Sequence, residues 1–319
     1  VEYDHFHTDE ALAQTAELLN DPTVSSIYEA AFLFRNVLVR VDILERTSSG
    51  WNLVEVKSGT KFKEGVHDID VAVQLWVLRG TGLSVESAGL LTLNRDYVYN
   101  GVVLDLDQLF ILHDSTEIAE SLNAEVERNV ASYTSMLNAA TAPAIAPGEK
   151  FTKPYICSYY THCLRDVVIP EHPVTDLPGI RAGAIARFDD DGVYEINEIS
   201  PDHTLTTLQG RVRDAVVSGS EYISDSLGSA LGDIQYPVHY LDFETFMLAV
   251  PRYANTRPYD AIPFQFSIHT EHEYGRIEHI EFLHEDDSDP RAALAVSLID
   301  ALSGDGAVCV YSSYERRVI

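Results

Sequence analysis

Residues 37–57 constrain the fold of this chain more than any other stretch. Val37-Leu38-Val39-Arg40-Val41-Asp42-Ile43-Leu44 is rich in β-branched residues, and Thr47-Ser48-Ser49-Gly50 interrupts it. Trp51-Asn52-Leu53-Val54-Glu55-Val56-Lys57 then alternates at period two. Two such runs across a short polar break predict a β-hairpin, with Asp42 on the first strand and Glu55 and Lys57 on the second. Period two puts Glu55 and Lys57 on one face. The hairpin therefore aims two carboxylates and an ammonium at a common point.

Around this hairpin the spacing predicts an α/β arrangement. Asp9 to Leu19 has apolar residues at helical spacing and ends at Asn20-Asp21-Pro22. Asp68 to Leu78 reads as a second helix and Ser87 to Leu93 as another strand, which gives helix, strand, strand, helix, strand. Ile118 to Leu137 reads as one longer helix, and Ala139 to Gly148 as a linker. Leu177-Pro178-Gly179-Ile180 and Val193-Tyr194-Glu195-Ile196 mark short helical stretches, either a connector or a small clamp on a nucleic-acid backbone. A new strand is expected over Val238 to Glu244 and another over Ala307 to Tyr311.

With 319 residues, 45% of them hydrophobic, the chain can bury a sizeable core and form about two domains on a prior of ~150 residues each. No apolar run approaches the ~20 residues that span a bilayer, so a cytoplasmic protein with no membrane partner is expected. Three cysteines do not make a secreted disulfide framework. The net charge of -28 opposes binding to a polyanion. Between Arg35 and Arg95, however, eight basic residues face seven acidic ones, so the hairpin lies in a near-neutral segment of an acidic chain.

Hydrolysis of a phosphodiester requires a divalent metal to polarise the phosphoryl group and activate a water, helped by a nearby cation. Asp42, Glu55 and the carbonyl of Val56 make a partial oxygen shell suited to Mg²⁺ or Mn²⁺, and Lys57 supplies the cation. An acidic-x-Lys triplet alone is a common accident in an acidic chain. Its place on an apolar strand, with a helix bearing Gln74 after it, gives it weight.

These segments resemble the RecB-like branch of the PD-(D/E)XK nucleases. The resemblance rests on Val-Arg-Val-Asp-Ile-Leu (39–44), Leu-Val-Glu-Val-Lys-Ser (53–58) and Asp-Val-Ala-Val-Gln-Leu-Trp-Val-Leu (70–78). It implies a restriction-endonuclease-like fold in which Asp42 and Glu55 bind metal, Lys57 acts at the water, and Gln74 lines the site. In Tyr28-Glu29-Ala30-Ala31-Phe32, Glu29 resembles the upstream helix glutamate of that branch, a further metal ligand. His5 and His7 are upstream candidates that read more simply as surface residues. Several RecB-like nucleases hold an iron-sulfur cluster at the end of this domain, and Pro154 to Cys163 is similar to the tail of such a motif. Only Cys157 and Cys163 are present where four thiolates are needed, and Phe151 stands where a preceding cysteine is expected. Free thiols or a zinc site with His162 are the alternatives.

Asp242-Phe243-Glu244 puts two carboxylates on one strand face, as a two-metal site requires. It resembles the first motif of the DEDD exonucleases of the ribonuclease H-like fold. Tyr311-Ser312-Ser313-Tyr314-Glu315 resembles the second, with Glu315 as a ligand. Leu93 to Val98, Tyr240 to Phe246, Thr256-Arg257-Pro258-Tyr259 and Ile262-Pro263-Phe264-Gln265 together resemble domain-of-unknown-function family 2779, whose substrate the resemblance does not supply. The expected organisation is a RecB-like domain over 1–170, a helical connector over 171–232 and part of an exonuclease-like domain over 233–319. The expected activity is metal-dependent cleavage of nucleic acid, DNA before RNA. A degenerate scaffold that binds nucleic acid or a partner, and activity confined to the C-terminal part, are the other readings.

Overall fold

The computed structural model describes residues 1–4, 6–143, 156–165 and 170–318. The protein is α/β and forms two compact units, one of Val1–Thr141 with Gln235–Ile319 and one of Ala142–Ile234. This division differs from the three consecutive segments expected, because residues 235–319 pack with the N-terminal part.

The first sheet of the larger unit has the order β1-β2-β3-β4-β5, with β1 Ser26–Phe34, β2 Val37–Arg46, β3 Trp51–Val56, β4 Val85–Leu93 and β5 Phe110–Asp114. β2 and β3 form the expected antiparallel hairpin. Its turn closes through Thr47, whose amide donates to the Gly50 carbonyl at 2.9 Å and whose hydroxyl accepts from the Gly50 amide at 2.8 Å. A side chain at Gly50 would stand 2.6 Å from the Ser84 carbonyl, so only glycine fits there. Helix α2 (His67–Gly80) carries the chain back to β4, which runs parallel to β3 as a helical crossover allows. Val71, Leu75 and Leu78 of α2 bury against Val41, Leu44, Leu53 and Leu90 of the sheet. Helix α1 (Thr8–Asn20) covers β1.

Two expectations change. Glu29 lies on strand β1 and not on a helix, at a φ of +56°, exposed at an irregular point in the strand. Ile27, Ala30 and Ala31 are buried, a spacing of three and four that imitates a helical face. After the short α3 (Leu106–Leu109), the helix expected over 118–137 is two helices, α4 (Thr116–Ser121) and α5 (Asn123–Leu137), which meet at Leu122 with ψ near -7°.

The second sheet of this unit has the order β8-β7-β6-β9, with β6 Val238–Met247, β7 Ala261–Glu273, β8 Arg276–Leu283 and β9 Ala307–Val310. β6, β7 and β8 are antiparallel neighbours and β9 is parallel to β6. Leu241 and Phe243 point with Phe266 and Ile268 into a core closed by Leu294 and Leu298 of a helix over Pro290–Ala301.

The smaller unit is helical. It contains short helices at Tyr160–Leu164 and Leu227–Gly232, longer ones at Ala182–Asp190 and Thr207–Ser218, and a core of Val174, Leu177, Phe188, Ile196 and Ile199. Among the described residues, no helix is long and apolar enough to cross a membrane.

Candidate functional site

The side chains of the predicted centre meet where β2 and β3 part. Their last paired residues are Ile43 and Val54, and past that point the Asp42 side chain takes over from the strand: its Oδ2 accepts from the Val56 amide at 2.6 Å. Glu55 faces inward from β3 and is only 7% exposed. Its Oε1 accepts from Lys57 Nζ at 2.6 Å and its Oε2 from Gln74 Nε2 of α2 at 2.5 Å. Asp42, Glu55, Val56, Lys57 and Gln74 are thus brought together by one hairpin and one helix.

Burial pushes the Glu55 carboxyl above its ordinary value. The hydrogen bonds from Lys57 and Gln74 pull the other way, and the charge of Asp42 adds to the upward push. Partial burial lowers the Lys57 ammonium, but hydrogen bonds to Asp70 and Glu55 outweigh it and hold the group protonated well above its ordinary range. That both partners of one ion pair move upward reflects their unequal burial: Glu55 is enclosed, while the Lys57 side chain keeps 30% of its surface.

Two neighbours were not singled out in the sequence. Asp70 Oδ2 is 2.6 Å from Lys57 Nζ. Asp70 and Gln74 are one helical turn apart on α2, and that i, i+4 spacing was the available signal. His67, at the start of the same helix, is buried and accepts from the Lys63 amide through Nδ1 at 3.1 Å. Burial, with Lys57 and Lys63 nearby, holds it below its ordinary value and therefore neutral at pH 7.

The donor set fits a hard divalent cation. Asp42, Glu55 and the Val56 carbonyl offer oxygen only, and two neighbouring carboxylates, one of them desolvated, gain from a positive ion between them. Among the described residues, no three or more His, Cys, Asp or Glu side chains gather in a way that could hold a metal. The remaining positions of a Mg²⁺ or Mn²⁺ shell would fall to water, which Mg²⁺ normally retains. Glu29 stands opposite Asp42 across β1 and β2, bracketed by the pairs Tyr28 with Ile43 and Ala30 with Val41. His7 pairs with Asp4 at 2.8 Å. His5 and Phe151 lie outside the described residues.

The C-terminal carboxylates do not converge in the same way. Asp242 and Glu244 are exposed on the open face of β6, opposite Ser267 and Gln265 of β7. Glu315 is buried, and its Oε2 accepts from the Ser312 amide at 3.0 Å and the Ser312 hydroxyl at 3.2 Å. Backbone amides and the Ser312 hydroxyl hold this carboxyl below its ordinary value against the opposing effect of burial. The S-x-x-E spacing here serves the start of a helical turn.

Cys157 and Cys163 are free thiols, as is Cys309 on β9. An iron-sulfur cluster needs four thiolates and the chain contains three cysteines, so the residues do not fit that group. A cavity of about 910 Å³, lined by Arg181, Arg187, Phe188 and His203 among others, belongs to the helical unit and holds none of the candidate residues. The centre is therefore assigned from its converging charges and not from cavity size.

A family model described as a domain of unknown function (DUF2779) matches residues 239–319, a segment that begins on β6 and includes Asp242, Glu244 and Glu315. It agrees with the resemblance carried by Tyr240 to Phe246 and by residues 256–265. No curated protein matches the chain. A solved structure titled "Crystal structure of SSO0001" aligns at 15% identity and a TM-score of 0.22, over 41% of this chain and 60% of that one.

Proposed function

We propose that the chain is a metal-dependent nuclease whose N-terminal part is of the PD-(D/E)XK type, acting on phosphodiester bonds of DNA. The observation that carries this reading is the buried Glu55, bound at once to Lys57 at 2.6 Å and Gln74 at 2.5 Å, with Asp42 beside it on the neighbouring strand. Burying a carboxylate costs several kcal/mol unless it is compensated. A chain stabilised only by packing gains little from such a group at the mouth of a hairpin.

In this reading Asp42, Glu55 and the Val56 carbonyl hold Mg²⁺ or Mn²⁺, which when bound polarises the phosphoryl oxygen and acidifies a water. Gln74 fixes the rotamer of Glu55 through its amide. Lys57 keeps its proton and faces the attacking water or the charge that develops on the phosphoryl group. Asp242 and Glu244 remain candidates for a second, exonuclease-like centre in the C-terminal part.

A scaffold that binds nucleic acid or a partner without cleaving is the second reading. It is favoured by the hold of both Glu55 and Asp70 on Lys57 and by the net charge of -28. Cleavage of labelled single- and double-stranded DNA and RNA in Mg²⁺ or Mn²⁺ separates the readings. Loss of cleavage in Lys57→Ala, with cleavage kept in Asp242→Ala, supports the N-terminal centre. The reverse pattern assigns the chemistry to the C-terminal part, and no cleavage in either metal favours the scaffold.

A further inference from the structure

Strand β3 loses its partner on the β2 side while it is still bound on the β4 side. The Lys57 amide donates to the Leu91 carbonyl at 2.9 Å, and the Gly59 carbonyl accepts from the Leu93 amide at 3.1 Å, so the chain remains laddered to β4 past the last strand residue. The alternate residues, Val56 and Ser58, turn their backbone groups to the other side, where β2 has already diverged. There two side chains stand in for the missing strand. Asp42 takes the Val56 amide at 2.6 Å, and the Tyr259 hydroxyl donates to the Ser58 carbonyl at 2.5 Å.

Tyr259 comes from the loop between β6 and β7, two hundred residues further along the chain, and that loop is held firmly. The Asn255 amide donates to the Tyr99 carbonyl at 2.8 Å and the Tyr99 amide to the Thr256 carbonyl at 3.0 Å. Arg291 Nη2 donates to the Ala254 carbonyl at 2.8 Å. A Cβ at Gly101, which has a φ of +83°, would stand 2.7 Å from the Ala254 Cβ, so the two loops touch at a point that admits no side chain. Tyr259 itself adopts a φ of +63°, uncommon for an aromatic residue, and its amide donates to the Leu248 carbonyl at 2.8 Å.

We propose that Tyr259 is a positioning residue for the N-terminal centre: by completing the ladder at Ser58 it fixes the backbone on which Lys57 and the Val56 carbonyl are presented. The C-terminal part then contributes to cleavage at the hairpin. This role rests on the nuclease reading above, whereas the ordering of the Ser58 turn does not.

The test is Tyr259→Phe in the full chain, which removes only the hydroxyl, with Tyr274→Phe as control because Tyr274 is 92% exposed in the β7–β8 turn. Hydrogen–deuterium exchange over residues 57–62 should quicken roughly fivefold in Tyr259→Phe, the loss of one hydrogen bond, and stay unchanged in the control. The kcat for cleavage should fall about tenfold at unchanged KM, as for misplacement of a catalytic group without loss of substrate binding. Unchanged exchange overturns the proposal, and so does faster exchange with an unchanged kcat. If the wild type cleaves no nucleic acid, the nuclease reading and with it the catalytic role of Tyr259 fall, and exchange alone decides whether Tyr259 orders the turn.

Discussion

Lys57 and Asp70 form a second ion pair at the candidate centre, with Nζ 2.6 Å from Oδ2, so the ammonium is shared between the buried Glu55 and a half-exposed carboxylate on α2. The two carboxylates contribute differently. Asp70 can return to water when the pair breaks, and Glu55 cannot.

Asp70→Asn is therefore expected to lower the free energy of unfolding by no more than ~1 kcal/mol, as for exposed pairs, while Lys57→Ala costs about 1–3 kcal/mol because it leaves Glu55 enclosed without its cation. Urea denaturation of both variants checks the order. An Asp70 variant less stable than the Lys57 variant would refute it.

Gln74→Ala removes the donor to Glu55 Oε2 from a buried position and should cost about 1–3 kcal/mol by the same measurement. Among the described residues, the buried Gln74 Oε1 atom has no hydrogen-bond partner, which makes the amide an expensive residue to keep for stability alone. A neutral or stabilising Gln74→Leu together with lost cleavage would mark the amide as a functional choice.

The raised pKa of Glu55 sets a pH dependence. A carboxyl that binds its proton more tightly in the folded state contributes stability in full below its ordinary value of 4.5, and loses that contribution as pH rises through the folded-state value. Glu55→Gln carries no charge at any pH. Measured without divalent metal, its stability relative to wild type should rise from pH 4 to pH 7, and parallel curves would show that burial does not dominate at Glu55.

Divalent metal should reverse that penalty. At a hundredfold excess over Kd, Mn²⁺ or Mg²⁺ is expected to stabilise the wild type by about 2.7 kcal/mol, visible as a higher Tm. Asp42→Asn keeps an oxygen for the Val56 amide but loses the charge, and its Tm should not respond. An equal response in both proteins would remove Asp42 from the metal shell.

Asp289 caps the helix over Pro290–Ala301 through the Arg291 amide at 3.1 Å, and pairs with the Arg291 guanidinium that also holds the Ala254 carbonyl. Hydrogen bonding from Arg291 keeps its carboxyl below the ordinary value of 3.8, so its contribution is present above 3.8 and lost as pH falls through the lower folded-state value. Asp289→Ala should cost ~1 kcal/mol at pH 7, typical of a lost N-cap, and less near pH 2. Guanidinium unfolding at the two pH values would detect the difference.

Local pattern alone determined the hairpin, helix α2 and the facing of Glu55 and Lys57, because period-two and period-3.6 burial are properties of neighbouring residues. The helical position of Gln74 was legible for the same reason, and its place at the site was implied by the resemblance to the RecB-like nucleases. Strand β1 was not, since Ile27, Ala30 and Ala31 repeat at a helical interval and only the irregular backbone at Glu29 reconciles that spacing with a sheet. Glu315 carries the residue type a metal site needs, yet the backbone amide and hydroxyl of Ser312 three residues earlier claim its oxygen. Asp70 as the second partner of Lys57, and Tyr259 at the Ser58 carbonyl, were decided by tertiary structure. Both depend on how elements distant in the chain pack, and a hydrogen bond across two hundred residues leaves no periodicity for a local reading to detect.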